Sequence, residues 1–475
     1  MERKKSLKWK KILQIWKARD LTIFGKVHIV KSLILPLIQY AASNVHVDYH
    51  IIQNVQKIIW SYIWKWGTCF VSKELCYLPR NKGGLGIPNF GTIIKAAQIK
   101  MVIDIMKNDA EWNILGKKHL CCLDKLYNIK YFALLVDGSY NSLDKCNIPL
   151  YYKECILAIQ ELNRKGLQKC ENEIIWCNNN IRFQGKVLEL NHWSKNGLRY
   201  LSDISDNGKL DRNKILGRLQ NKSAFIFEYA KLNKSVPEKL LQNNNPDVSP
   251  NFHEFYYNVP GKKKTTHIYD LTTKEIYSIL IQGEKLKRKS EKYWSDKLFG
   301  LEMNYPLLYE KLFVCKIIPR DILDFNWRIF NGQVLTEKKL RLMKLSDGIC
   351  SCCKVKEEDI FHLFIECTYF ESTWIDTKLI LNKISDTVIE IPNQLFGFLY
   401  DDCKYDIMNM ILSITRWYIW KHRCAIKYGE GNKSNLILKD ELKIFLKSHI
   451  NMMLQLNKIK NTKMIMLCND IVNML

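Results

Sequence analysis

Four residues spaced C-x2-C-x8-H-x4-C (Cys350, Cys353, His362 and Cys367) constrain this chain more than any other feature, because such side chains must converge on one point. Zinc takes four soft or borderline ligands in a tetrahedron, and the short C-x2-C turn aims two sulfurs at the same place. The second pair, in FHLFIEC, brackets one helical turn and its end. Cys350-Ser351-Cys352-Cys353 offers three thiols for two places. Adjacent cysteines rarely reach one metal, so Cys350 and Cys353 are the expected pair and Cys352 leaves the register open. The alternative is a chance cluster of reduced thiols. With 16 cysteines some clustering is expected, but not with a histidine at this spacing. One structural zinc is the expectation.

Length and charge bound the remainder. A chain of 475 residues accommodates two to four domains with a large buried core. Hydrophobic residues at 47% and aromatic residues at 12% describe a globular chain rather than a disordered one. The 73 Lys+Arg against 48 Asp+Glu leave a net charge of +25, which points to a polyanionic partner, nucleic acid first. A membrane surface fits less well, since the charge is spread along the chain. The basic start lacks an apolar signal core, and IVKSLILPLIQY is interrupted by Lys31 and Pro36 and is too short to span a bilayer. The expectation is a soluble, intracellular protein, nuclear or cytoplasmic, with its thiols reduced.

The periodicity predicts a mainly α fold: a helical N-terminal part, a loop-rich middle, and a small zinc module embedded in C-terminal helices. Trp9, Ile12, Leu13 and Trp16 form one apolar stripe, and residues 1–31 hold ten basic and two acidic residues. A second helix from about Ile51 turns Val55, Ile58, Ile59 and Tyr62 inward. Trp60, Trp64 and Trp66 lie nearby and suit packing better than base stacking. Lys82-Gly83-Gly84-Leu85-Gly86 matches neither a P-loop nor a dinucleotide fingerprint and reads as a tight turn. The expected divisions are 1–110 (helical), 111–201 (mixed, poorly periodic), 202–270 (a loop-rich linker with the run Asn243-Asn244-Asn245 and Pro246), 271–345 (helical), 346–376 (zinc module) and 377–475 (helical). Within these, Thr272 or Thr273 caps a helix, and residues 319–342 turn Phe325, Ile329 and Phe330 inward. Met408, Ile411, Leu412, Thr415 and Ile419 share a face, as do Leu438, Leu442, Phe445, His449 and Met452.

No catalytic constellation emerges. Asp401-Asp402 resembles the paired aspartates that hold two magnesium ions, but no partner strand is recognisable, and capping of the next helix is the simpler role. His119 with Cys121 and Cys122 lacks a further ligand at useful spacing. The chain reads as a binder, not a catalyst.

Several segments nonetheless resemble, in order, the region beyond the palm of reverse transcriptases from LINE-type non-LTR retrotransposons. They are WKARDLTIFGKVHIVKSLILPLIQY, IIWSYIWKWG, LPRNKGGLGIPNF, TTKEIYSILI, DFNWRIFNGQVLTEKKL, CSCCKVKEEDIFHLFIECTYFESTW and FGFLYDDCKYDIMNMILSITRWYIWKHR, covering about residues 7 to 425. The resemblance implies a thumb-like N-terminal region in which Arg19, Lys26 and Lys31 contact a nucleic-acid backbone. It also implies a zinc-binding domain in which Cys350, Cys353, His362 and Cys367 hold the metal, with Cys352 departing from the usual pattern. The polymerase palm and the endonuclease of that family have no counterpart in this sequence, so the expectation is a nucleic-acid-binding C-terminal fragment that binds RNA or an RNA/DNA duplex and is not itself an enzyme. Two other readings stand beside it: a zinc-stapled helical adaptor for an unspecified protein, and a relic without a selected role.

Overall fold

Runs with apolar residues three and four apart become helices throughout the computed structural model. It describes residues 11–37, 45–64, 71–108, 110–138, 140–168, 172–220, 222–242, 250–282, 288–301, 303–429, 434–456, 459 and 461–475. The fold is mainly α, as the periodicity predicts, and the strands of the described residues form three two-residue antiparallel hairpins. Trp9, Trp66, Asn243-Asn244-Asn245 and Pro246 lie outside the described residues. Among the described residues no helix is long and apolar enough to cross a membrane. The chain divides into two compact units, one of Ser32–Ile59 and Asn89–Glu284, the other of Met1–Lys31, Trp60–Pro88 and Lys285–Leu475.

The first of these is built on three packed helices, Phe90–Lys107, Leu150–Gly166 and Thr273–Leu280. They bury Ile99, Val102 and Met106, then Ile156, Ile159 and Leu162, then Ile276 and Ile279. Gly166 permits a close approach, since a Cβ there would lie 2.6 Å from Ile279 Cγ2. Thr272 caps the third helix in a reciprocal capping box with Glu275. The Leu150–Gly166 helix escapes a search for apolar periodicity because amides sit on its buried face. Gln160 Nε2 donates to the Ala133 carbonyl at 2.7 Å and Asn163 Nδ2 to that of Leu134 at 2.8 Å. Residues 202–270, expected to be a loop-rich linker, instead carry helices Arg212–Arg218, Phe225–Ser235 and Glu238–Gln242. Their Ile215, Phe225 and Leu232 are part of the hydrophobic core.

In the other unit, helices Arg320–Phe330, Glu371–Asn382 and Asn435–Gln455 pack against the long helix Cys403–Tyr428. Met408, Ile411, Leu412 and Ile419 of the long helix are buried, as is Thr415, so the expected face is the one that packs. The expected helix over 319–342 ends at Phe330 and resumes at Glu337, with Phe325, Ile329 and Phe330 all buried. On Asn435–Gln455 the expected stripe is partly displaced. Leu438, Leu442 and His449 are buried, but Met452 is exposed, and the inward face continues through Leu446, Ile450 and Met453.

The glycine run is a close-packing turn. Gly83 adopts a left-handed φ of 75°, and a Cβ on Gly84 would lie 2.0 Å from the Leu78 carbonyl oxygen. Trp327 Nε1 donates to the Gly83 carbonyl at 3.1 Å, tying the turn to helix Arg320–Phe330. In helix Tyr49–Ile63, Val55, Ile59 and Tyr62 are buried and Ile58 is half-buried. Trp60 and Trp64 stack on each other, and Trp64 lies against Trp327, so these rings serve packing.

Candidate metal centre

Local backbone geometry delivers the four ligands to one place. Antiparallel pairing of Ile349 with Glu357 and a bond from Cys350 N–H to the Lys356 carbonyl at 2.9 Å close a knuckle around Cys350 and Cys353. Lys354 takes a left-handed φ of 56° at its tip, and its N–H returns to the Cys350 carbonyl at 2.9 Å. On the other side, Asp359 Oδ1 accepts from the His362 N–H at 2.8 Å, while Lys297 holds the second carboxylate oxygen at 2.8 Å. Residues His362–Glu366 form a π-helical turn, and Cys367 N–H bonds the His362 carbonyl at 2.8 Å. An α-helix turns about 100° per residue, which would set positions five apart on different faces. The wider i→i+5 closure swings Cys367 back toward His362.

The result is a compact donor set. Cys350 Sγ lies 3.9 Å from Cys367 Sγ and Cys353 Sγ lies 3.4 Å from His362 Nε2, with all four donor atoms within 4.8 Å of one another. A tetrahedron with Zn–S near 2.3 Å has sulfur–sulfur edges of about 3.8 Å, so the spacing suits zinc. Cys350, His362 and Cys367 are buried and Cys353 is half-buried, which describes a closed structural site. The crowding splits the thiols. Donation from Cys352 and Cys367 holds the Cys350 thiol well below its usual range, whereas the Cys350 sulfur pushes Cys367 and Cys352 up. Hydrogen bonding to Cys350 raises His362 to about 9. A dication would replace these shared protons and take all three sulfurs as thiolates. His362 Nδ1 is buried without a hydrogen bond, and the nearest carboxylate oxygen, on Glu366, is 3.7 Å away. Cys352 stands beside the quartet rather than in it.

Beneath the knuckle lies a buried ionic cluster. Arg423, from the long helix, grips Glu358 through Nε at 3.0 Å and Nη2 at 2.6 Å, and reaches Glu337 Oε1 at 2.6 Å. Lys427 meets both oxygens of Glu337 at 2.6 Å, and Ser351, inside the C-x2-C turn, donates to Glu337 at 2.7 Å. Glu358 also ties the backbone, accepting from Glu337 N–H at 3.0 Å and donating its own N–H to the Gly348 carbonyl at 3.0 Å. Sequence reasoning passed over all four charged residues. Glu357-Glu358-Asp359 looks like a solvated acidic run, and the one available signal was the position of Arg423, four beyond Ile419 on the buried face of the long helix.

The other expected site residues fall in different settings. Arg19 is exposed, its guanidinium 4.5 Å above the Trp16 ring, and Lys31 is exposed in the π turn Val30–Ile34. Lys26 is a correction: it is only 5% exposed and its Nζ donates to the Ile63 carbonyl at 3.2 Å, so it is not available to a phosphate backbone. Asp402 caps the long helix through the Lys404 N–H, and Asp401 lies 3.3 Å from Lys311. His119 stacks on Tyr152, and among the described residues Cys121 and Cys122 join no group that could hold a metal.

Residues 289–374 match the family described as zinc-binding in reverse transcriptase, and all four donor residues fall inside the match. This segment is a reverse-transcriptase-related zinc-binding domain, and its Cys/His cluster fits a single zinc ion. No curated protein matches the chain.

Proposed function

We propose that the chain is a nucleic-acid-binding, zinc-containing C-terminal portion of a LINE-type non-LTR retrotransposon reverse transcriptase, with no polymerase centre of its own. The observation that carries this reading is the closed Cys350, Cys353, His362 and Cys367 quartet inside the segment that matches the reverse-transcriptase zinc-binding family. The net charge of +25 supports a polyanionic partner, RNA or an RNA/DNA duplex. Arg19 and Lys31 remain the candidate phosphate contacts, and Lys26 drops out. The zinc is structural: with four protein donors it leaves no open position for a reacting group. Capping by Asp402 and the ion pair of Asp401 with Lys311 account for the aspartate pair without catalysis.

The test is equilibrium binding of the zinc-loaded protein to single-stranded RNA across a salt series. A steep fall, with log K dropping about 0.7 per log unit of salt for every phosphate neutralised, is the expected result. Affinity that is absent or indifferent to salt would remove the nucleic-acid reading.

A further inference from the structure

A cavity of about 1370 Å³ lies outside the metal centre, lined by the segment joining helix Tyr305–Phe313 to helix Arg320–Phe330 and by helix Asn435–Gln455. All its lining residues belong to the unit that holds the zinc module. Phe313, Ile317, Ile318, Leu323 and Met453 are buried and give it an apolar wall. Its charges do not balance. Arg80, Lys311, Lys316 and Arg320 line it against Glu310 and Asp406, and Lys311 already meets Asp406 at 3.4 Å. Arg80 is half-buried, with its guanidinium 3.9 Å from the centre of the Phe24 ring. Burial and the Arg320 charge hold Arg80 below its usual range. The carboxylate that opposes them, Asp324, is bonded to Arg328 at 2.9 Å. Two like charges kept together beside apolar surface favour an anion near both. Helix Arg320–Phe330 adds its N-terminus, since Pro319 at the N-cap position brings no side-chain acceptor for the first N–H groups. Asp321 of that turn does not line the cavity.

The remaining lining offers what an unpaired base needs. Phe445 and His449, one turn apart on helix Asn435–Gln455, have rings only 2° from parallel with centroids 6.0 Å apart. His449 Nε2 donates to the Ile317 carbonyl at 2.9 Å, which ties this helix to the apolar wall. Ser448 and Asn461 add an exposed hydroxyl and an exposed amide. An acyl chain with an anionic head would use the cations and the apolar wall but leave these polar groups idle. A nucleotide uses all of them: phosphate on the cations, base on a ring, base edge on hydroxyl or amide. We propose that this cavity takes nucleotides of a single-stranded nucleic acid, with a phosphate at Arg80 and Arg320 and a base against Phe445. The inference rests on the nucleic-acid reading and gives it a site for unpaired bases that neither Arg19 nor Lys31 lines.

The experiment irradiates the full zinc-loaded chain with a short single-stranded RNA carrying 4-thiouridine and maps the crosslinks by mass spectrometry. Crosslinks are expected within Phe445 to Met453, where helix Asn435–Gln455 lines the cavity. Arg80→Gln/Arg320→Gln should weaken RNA binding about fivefold or more. Lys209→Gln/Lys274→Gln, which neutralises two exposed lysines of the other unit, should weaken it about twofold or less, with zinc content unchanged in both. Phe445→Leu should lose about fivefold, while Phe445→Tyr, which keeps a ring, should stay within about twofold. If RNA binds but crosslinks only outside the cavity, or if the arginine variant binds no worse than the lysine variant, the proposal falls and the nucleic-acid reading stands. If no RNA binds, both fall. Saturable oleate binding that the arginine variant loses, with RNA crosslinks elsewhere, would assign the cavity to an anionic lipid and overturn the proposal.

Discussion

Arg423 Nη2 lies 2.6 Å from Glu358 Oε1 and both side chains are buried, so the zinc knuckle is joined to the long helix Cys403–Tyr428 by a charge pair out of reach of water. Glu337 and Lys427 complete the cluster. The metal site therefore rests on residues well beyond position 374, where the family match ends.

Removing Arg423 would leave two buried carboxylates short of a cation. Arg423→Met is expected to cost about 3–5 kcal/mol, as breaking a buried pair from one side does. Chemical denaturation checks this, with Arg423→Met/Glu358→Gln expected to recover part of the loss. A change within about 0.5 kcal/mol for the single variant would mean the cluster is not closed in solution.

Gly84 and Gly429 separate two reasons for a glycine. A Cβ at Gly84 meets the Leu78 carbonyl oxygen, so Gly84→Ala should cost about 3 kcal/mol through forced backbone movement. Gly429 ends the long helix at φ 79° with open space around it, and Gly429→Ala should cost only the left-handed conformation, about 1 kcal/mol. Thermal melts of the two variants should rank in that order.

Acid should loosen the Thr272–Glu275 capping box late. Donation from Lys262 and the Thr272 N–H lowers Glu275 to about 2 from an ordinary 4.5. A carboxyl depressed on folding contributes fully above its unfolded value and loses that contribution as pH falls from about 4.5 through about 2. NMR titration of the Glu275 side-chain carboxyl reads the folded value directly. A midpoint near 4.5 would show that the box does not hold in solution.

Charge substitutions should sort by exposure. Arg19→Ala and Lys31→Ala should each lower the salt dependence of RNA binding by about 0.7 in slope, and Arg19→Ala should leave the melting temperature nearly unchanged. Lys26→Ala should do the reverse, since its ammonium is committed to the Ile63 carbonyl. A larger slope change for Lys26→Ala than for Arg19→Ala would contradict the placement of these side chains.

The sequence made the metal quartet legible because all four donors fall within eighteen consecutive residues, where spacing alone nearly fixes geometry. It was equally plain about the long helix, whose face from Met408 through Ile411 and Leu412 to Ile419 is apolar but for Thr415. It was poor wherever polar side chains go inside. Gln160 and Asn163 hid the Leu150–Gly166 helix, nothing in the sequence marked Glu358 as buried, and Lys26, a phosphate contact by resemblance alone, could not be told apart because a lysine reads the same whether its ammonium meets solvent or a buried carbonyl. Met452 shows a narrower limit: a stripe read at alternating fours and threes drifts off the buried face, which steps mostly by four through Leu438, Leu442, Leu446 and Ile450 before reaching Met453. Cys352 could be set beside the quartet only once the knuckle's backbone was known.

Zinc content bears most directly on the central claim. Purified protein measured by elemental mass spectrometry should hold about one zinc per chain, as one tetrahedral quartet requires, and the Cys353→Ser/His362→Ala variant should hold none. A folded, soluble protein without zinc, or a variant that keeps it, would contradict the assignment of Cys350, Cys353, His362 and Cys367 as a metal centre.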